Sequence, residues 1–317
     1  MPQTWRGEFA AVLIVLTTLL EAQTPRRPPT QPDAHSVEVQ MRNVVYHFTD
    51  NIAVHIRRLH GRLVPTKGDV PVFDDKESFK VLIESAEMTI SAQSLANVLN
   101  SYVFTGRDAP LRGISTDVDG SRLKIRGRIH SKGDIGFETG GTLSATPDGK
   151  IRLHIEKIKA LHLPVKGVMD LLGVEMADLI QTGKVRGVKA EKDDLILDPE
   201  TLLPPPHITG QVTAVRLEPN EIVQVFGAAR DSMPMHVGAA NYMAYRGNNL
   251  RFGKLTMNDT DMVLIDLDPK DPFDFYLDHY KEQLVAGYTK ETMSFGLRVF
   301  MRDYNKLRRS RSAAASR

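Results

Sequence analysis

Acidic residues crowd one segment near the carboxyl end of the sequence. Residues 259–278 contain seven aspartates and only one basic residue that is a lysine or arginine, Lys270. Clustered carboxylates are the ligands that hard cations such as Ca²⁺ prefer, but an EF-hand loop also needs glycine at its sixth position and glutamate at its twelfth. Counting from Asp266, those positions are Asp271 and Leu277. Of the two interpretations, a calcium site and a set of solvated loops, we predict solvated loops and assign no metal ligand.

Catalytic motifs are not found elsewhere in the sequence. The ten histidines are scattered, and no pair has metal-ligand spacing on a recognisable element. The chain lacks the Gly-x-Ser-x-Gly, His-Glu-x-x-His, phosphate-loop and dinucleotide-binding signatures. It has no cysteine, which excludes disulfides, a thiol nucleophile and iron–sulfur clusters. We therefore predict a protein that is not an enzyme and uses no cofactor, and we keep an unrecognised hydrolase as an alternative.

Composition and charge narrow the class of protein further. Of the 317 residues, 41% are hydrophobic and 25% are charged, a balance typical of a globular core with a solvated surface. The formal net charge is only +2, so the chain as a whole shows no strong attraction to nucleic acid. The length suffices for one large domain or two ordinary ones.

The amino end carries an export or anchoring signal. Arg6 precedes an apolar run over residues 9–20, which is shorter than the roughly 20 residues that span a bilayer. The pattern predicts a signal peptide or membrane anchor at residues 1–22, with a buried helix as the alternative. The proline-rich residues 23–36 predict an extended linker. We expect an exported protein that is periplasmic or anchored facing the periplasm.

Alternating apolar and polar residues predict β-strands through most of residues 37–230. Residues 122–130 are the clearest case, because Leu123, Ile125 and Ile129 fall on one face and cations fall on the other. Asp148-Gly149 between two alternating runs predicts a hairpin. Residues 43–62 fit a strand or a helix, and we predict one long strand. The class is therefore α+β with a mostly antiparallel sheet.

Two segments have helical periodicity instead. Ser91 is a candidate N-cap for the first helix, and Pro164 opens the second. Beyond a boundary near residues 231–234, short strands predict a C-terminal β extension over residues 231–305. Residues 306–317 are basic and small and predict a disordered tail, which either keeps the protein soluble or lies on anionic lipid.

The apolar faces of these helices and strands are candidates for the lining of a cavity. Together they could enclose an elongated cavity for an acyl chain, at roughly 0.8 kcal/mol for each buried methylene. An ordinary packed core would use the same residues, and the stripes alone favour that core. The candidate lipid-binding residues are Leu95, Val98, Leu99, Tyr102, Leu123, Ile125, Ile129, Phe137, Ile151, Leu153, Ile155, Met169, Leu172 and Met176.

Between residues 37 and 226 the sequence contains a series of short phrases that carry a family resemblance: residues 90–99, 110–114, 123–127, 148–153, 161–164, 197–199, 202–206 and 208–210. Together these phrases resemble the LmeA-like bacterial phospholipid-binding family. The resemblance implies a fold akin to the tubular lipid-binding (TULIP-like) proteins, in which a long curved, mostly antiparallel sheet wraps around one or two amphipathic helices. It brings no catalytic motif.

The resemblance also implies a function. We expect a non-enzymatic lipid-binding or lipid-transfer protein of the bacterial cell envelope that holds phospholipid acyl chains in an apolar tube. Its partners would be a phospholipid or other lipid, and a membrane surface contacted through the N-terminal segment and the basic tail. No nucleic-acid partner is expected. The alternative is an envelope scaffold with a filled core.

Overall fold

Strands dominate the fold, as the alternating sequence predicts. A computed structural model describes residues 35–107, 109–130, 134–160, 185–228 and 238–315. In chain order the strands are β1 (Val37–Thr49), β2 (Ile52–Pro65), β3 (Phe79–Ser91), β4 (Leu111–Asp119), β5 (Arg122–His130), β6 (Asp134–Ala145), β7 (Ile151–Ala160), β8 (Val188–Glu191), β9 (Asp194–Leu197), β10 (His207–Thr209), β11 (Val212–Glu218), β12 (Glu221–Phe226), β13 (Tyr242–Gly247), β14 (Leu250–Phe252), β15 (Leu255–Met257), β16 (Thr260–Asp266), β17 (Phe273–Tyr276), β18 (Tyr288–Glu291) and β19 (Leu297–Met301).

Helices in the described ranges are short and lie between strands or after the last one. They are α1 (Ala92–Val98), α2 (Pro199–Leu202), α3 (Tyr280–Val285) and α4 (Tyr304–Ala315), with a π-helical turn at Leu99–Val103 and a 3-10 turn at Leu277–His279. The predicted α+β class, with β-sheet as the main component, is confirmed.

Two sheets and one small hairpin hold the described strands. The larger sheet runs β11-β12-β3-β2-β1-β13-β16-β19-β18, with β10 beside β3 and β17 beside β1. The smaller sheet runs β4-β5-β6-β7-β9-β8, and β14 pairs with β15. Neighbouring strands are antiparallel except in the pairs β1–β17, β3–β10 and β16–β19. The sheets are therefore mostly antiparallel, as predicted.

The first long strand changes its buried face at Asn43. Buried apolar residues fall on odd positions up to Met41 and on even positions from Val44 onward. Asn43 has a φ of 52°, in the left-handed region that asparagine tolerates better than most residues. The neighbouring strand changes at the same point, because residues 37–42 pair with β13 and residues 44–47 pair with β17.

The prediction of one continuous strand over residues 43–62 is wrong, because the segment contains a turn between two strands. The chain turns at Asp50 and Asn51, so that β1 and β2 form an antiparallel hairpin. The turn lies where two polar residues favoured in turns interrupt the apolar alternation. Residues 43–49 therefore extend β1, which begins at the predicted position, Val37.

The first predicted helix begins as expected. The Ser91 hydroxyl accepts a hydrogen bond from the Ser94 backbone N–H at 3.0 Å, which confirms Ser91 as the N-cap. Asn100, in the π-helical turn, ties the end of the helix to β4. Its side-chain amide donates to the Ile114 carbonyl at 2.6 Å and its oxygen accepts from the Ile114 N–H at 2.8 Å.

Strands from the C-terminal region complete the larger sheet rather than standing apart. Strand β13 pairs with β1 in register from Val37↔Gly247 to Arg42↔Tyr242. The side chains of Met243, Tyr245 and Met262 belong to the same buried cluster as Val37 and Val39. The residues predicted as a C-terminal β extension therefore share one core with the long strands of the amino-terminal half.

The expected disordered tail is instead helical as far as Ala315. Helix α4 covers most of residues 306–317, and Asp274 of β17 and Asp303 accept hydrogen bonds from its first turn. The Asn305 N–H donates to the Asp274 carboxylate at 3.0 Å, and the Leu307 N–H donates to the Asp303 carbonyl at 3.2 Å. Asp274 lies 31 residues before Asn305, so the local sequence does not reveal this partner.

The predicted export signal at residues 1–22 and the linker up to residue 34 lie outside the described residues, as does the second predicted helix. Among the helices that are described, none has the length and apolar character needed to cross a bilayer.

Candidate functional site

An apolar cavity lies against the long strands of the larger sheet. It has a volume of about 40 Å³, and every residue that lines it is apolar or aromatic. Strand β1 contributes Met41, Tyr46 and Phe48, which lie on both sides of the Asn43 irregularity. The change of face at Asn43 therefore places residues from both halves of β1 around one cavity.

A second cavity lies between the two sheets and has a volume of about 60 Å³. Its walls come from β2, β3 and β12 of the larger sheet, from β5, β6, β7 and β9 of the smaller sheet, and from α1 and α2. Gln224 is the only polar residue among those that line it. The smaller sheet therefore covers part of the larger one with an apolar surface.

The two cavities are neighbours that share part of their walls. Val54, Met88 and Leu203 line both of them. Val54 and Met88 lie on the adjacent strands β2 and β3, whose register pairs Val54 with Ile90 and Ile56 with Met88. We call the two cavities together the cleft; one of them lies on the long strands and the other lies between the sheets.

A short segment joins the sheets and lies over the cleft. Residues 198–206, the cover segment, connect β9 of the smaller sheet with β10 of the larger sheet. Asp198 caps α2 by accepting from the Glu200 N–H at 3.0 Å. Beyond this helix, Leu203 and Pro206 reach the cleft. The proline-rich sequence fixes the path of the segment, because proline restricts the backbone of the residues around it.

Aromatic side chains close the cavity on the long strands. Phe73, from the connection between β2 and β3, packs against Tyr245, Phe252 and Tyr280, with ring centroids 5.0–5.7 Å apart. Burial raises the pKa of Tyr46 and of Tyr245 well above the ordinary value for tyrosine. Both phenols are therefore protonated at neutral pH, and the cavity wall carries no charge.

The structure brings four of the predicted lipid-binding residues to the cleft. Leu95, Val98, Leu123 and Ile151 all line the cavity between the sheets. They come from α1, β5 and β7, so the predicted helix and the predicted strands do face one another across this space.

Other predicted residues take different places. Leu99, Ile129, Phe137 and Leu153 are buried in the same core, and Ile125 and Ile155 pack partly buried against it; none of the six lines either cavity of the cleft. The Tyr102 hydroxyl accepts a hydrogen bond from the Arg186 guanidinium at 2.9 Å, so its polar end has a charged partner. Met169, Leu172 and Met176 lie outside the described residues.

Sequence reasoning missed the contribution of β1, β2 and β3 to the cleft. Met41, Phe48, Val54, Ile56 and Met88 line it, yet none was a candidate. The alternation that predicts these strands also identifies their apolar faces. The alternation does not show which apolar face borders a cavity, because that depends on how the two sheets pack against each other.

A polar groove of about 420 Å³ lies on the other face of the smaller sheet. Alternation along β7 directs Ile151 to the cleft and Arg152 to the groove. Arg152 pairs with Asp194 at 3.3 Å, and Lys189, also in the groove, pairs with Glu191 at 2.7 Å. The sheet separates the groove from the cleft, so these cations do not form a headgroup site for a chain held in the cleft.

Two of the clustered aspartates, together with Asp303, surround one lysine. The Lys306 ammonium lies 2.7 Å from Asp268, 2.9 Å from Asp271 and 2.7 Å from Asp303. Burial raises the pKa of Asp303, whereas the hydrogen bond from Lys306 lowers the pKa of Asp268. Burial disfavours the charge on Lys306, but the hydrogen bonds that its ammonium donates to the three carboxylates outweigh this effect and raise the pKa of Lys306. This cluster anchors α4 to the loop after β16.

We expect Lys306→Met to destabilise the fold at neutral pH. Asp303 is 2% exposed and would lose its counter-charge, but Lys306 is 40% exposed, so the cost should be about 1–2 kcal/mol rather than the larger loss at a fully buried pair. Because burial raises the pKa of Asp303 in the folded state, its protonation as the pH falls favours folding of the variant. Part of the lost free energy of unfolding should return below neutral pH.

Urea denaturation of wild type and variant at pH 7 and pH 5 measures this effect. Lys270→Met is the control, because Lys270 lies in the same acidic loop and is exposed. Equal stability of Lys306→Met and wild type at pH 7 would show that the cluster does not hold α4.

Comparison of the chain with protein-family models, with curated proteins and with solved structures gave no match. The cleft and its walls therefore carry the functional inference.

Proposed function

We propose that the protein is a non-enzymatic lipid-binding or lipid-transfer protein of the bacterial cell envelope, with the cleft as its site for phospholipid acyl chains. One observation supports this most: two apolar cavities share Val54, Met88 and Leu203 and so lie side by side. Two adjoining apolar cavities suit a chain that passes from one to the other better than a compact ligand. The resemblance to the LmeA-like family over residues 37–226 points to the same ligand class.

The chemistry of the walls suits hydrocarbon. Each methylene moved from water into such a lining contributes roughly 0.8 kcal/mol. Gln224 is the one side chain of the inter-sheet cavity that could hydrogen-bond a ligand. A charged headgroup would lose its hydration without gaining partners there, so it stays outside the cleft. Binding would then distinguish lipids by chain length and shape.

Entry of a chain requires the cleft to widen. Its cavities measure about 40 and 60 Å³, whereas small-molecule sites usually hold roughly 300–1,000 Å³. Met41 and Met88 allow widening, because both are flexible side chains in the walls. In this proposal the larger sheet and α1 form the wall of a TULIP-like tube, and the N-terminal segment exports or anchors the domain.

The small cavities also favour a second candidate, an envelope scaffold with a filled core. A carrier and a scaffold differ in what they do to lipid. We expect the wild-type protein, mixed with vesicles that contain a fluorescent phospholipid, to carry the label with it on gel filtration and to speed its transfer to acceptor vesicles. A scaffold would do neither, and that result would remove the carrier function.

A further inference from the structure

Two large apolar side chains stand almost fully in solvent at the tip of one hairpin. Strands β18 and β19 form this hairpin at the edge of the larger sheet. Met293 is fully exposed and Phe295 is 92% exposed. Burial in water-free surroundings is the usual state of such side chains, so two of them at one tip indicate contact with a partner.

The turn that carries them is well hydrogen-bonded. The Thr292 N–H donates to the Gly296 carbonyl at 2.8 Å, and the Gly296 N–H donates to the Thr292 hydroxyl at 2.8 Å. The Phe295 N–H also donates to the Thr292 carbonyl, at 3.0 Å. The tip is therefore a built structure that holds both side chains outward.

Phe295 adopts a backbone conformation that is unfavourable for its type. Its φ is 61°, in the left-handed region where a bulky residue is a genuine outlier. The exposed ring gains little burial in return. Strain without a folding benefit points to a role in binding.

The base of the hairpin carries residue types that are common at a membrane–water interface. Tyr288 stacks on Phe300 with centroids 4.6 Å apart, and the Lys290 ammonium lies 5.5 and 5.6 Å from the two rings. Tyrosine and lysine are the residues whose apolar bodies and polar ends suit the headgroup region. Nearby, Arg298 and Arg246 share the carboxylate of Asp261, and Glu291 follows Lys290 on β18, so the three cations exceed the two acids by one charge.

We propose that the β18–β19 tip inserts Met293 and Phe295 into the apolar layer of an anionic phospholipid surface, with Tyr288 and Lys290 at headgroup level. Two side chains of at most roughly 250 Å² each fall short of the roughly 800 Å² that each partner buries in a stable protein interface. A lipid surface needs only a small apolar protrusion with a cationic base. The tip lies four strands from β1, so this docking is separate from the cleft and does not rest on it.

A tryptophan at the tip tests the proposal in the full chain. The only natural tryptophan is Trp5, so Trp5→Phe combined with Met293→Trp gives one local reporter. With vesicles of phosphatidylcholine and phosphatidylglycerol, its emission should shift to shorter wavelength, and brominated acyl chains should quench it. Binding through residues 1–22 alone would leave this reporter in water and unquenched, and that result would overturn the proposal.

Phe295→Gly in the reporter background separates binding from folding. Glycine adopts the left-handed conformation at no cost, so the melting temperature should not fall, while loss of the ring should weaken vesicle quenching about tenfold or more. Val285→Ser is the matched control, because Val285 is 85% exposed but lies beyond the other end of β18. Unchanged quenching in Phe295→Gly would contradict insertion. A vesicle-independent, concentration-dependent shift would assign the tip to a second copy instead.

Discussion

Leu203→Trp is expected to abolish lipid uptake while the protein stays folded. Leu203 lines both cavities and lies in the cover segment, outside any strand. The larger indole should fill space at the shared wall of the two cavities, whose volumes are about 40 and 60 Å³. Overpacking at this half-buried position should cost about 1–3 kcal/mol of stability, whereas uptake of a fluorescent phospholipid should fall at least about tenfold, a change of roughly 1.4 kcal/mol.

Leu217→Trp provides the matched control for this experiment. Leu217 is also a half-buried leucine that packs against the core, but it lies on β11 and lines neither cavity. We expect this variant to take up as much phospholipid as wild type. If Leu203→Trp binds lipid normally, the chain does not pass between the two cavities, and the proposed path is wrong.

Leu99→Asp should prevent folding altogether. Leu99 lies in the π-helical turn after α1, is only 9% exposed, and belongs to the core cluster. A buried carboxylate without a partner costs several kcal/mol, which is comparable with the roughly 5–15 kcal/mol that holds a typical protein folded. We expect a circular dichroism spectrum without a cooperative thermal transition.

Leu99→Met is the control for any change of side chain at this position. The swap conserves volume and apolar character, so it should cost less than about 1.5 kcal/mol and leave lipid uptake unchanged. If Leu99→Asp folds and still binds lipid fully, then α1 and its following turn neither support the core nor border the site.

Local sequence signals predict much of this fold. Strand β5 follows from alternation, the start of α1 follows from the Ser91 hydroxyl, and the hairpin between β6 and β7 follows from Asp148-Gly149, where Gly149 has a φ of 82°. Each of these signals acts within a few residues, so it is visible without knowledge of the tertiary structure.

Features that depend on distant residues could not be predicted in this way. Pairing of β1 with β13 joins residues about 200 positions apart, and Lys306 pairs with Asp268 and Asp271 from 38 and 35 positions away. The change of face at Asn43 inverts the pattern of the rest of β1. Part of the cleft was predictable, through Leu95, Val98, Leu123 and Ile151. The cavity on β1–β3 was not predictable, because one of its walls is Leu203, which lies in a segment without helical or strand periodicity.

Native mass spectrometry of the gently purified protein, followed by lipid extraction, tests the central proposal most directly. We predict a mass above that of the polypeptide by one phospholipid, which extraction recovers in a molar amount equal to the protein and which Leu203→Trp loses. A mass equal to the polypeptide alone, with no gain after incubation with phospholipid, would contradict a lipid carrier and establish the filled core of a scaffold.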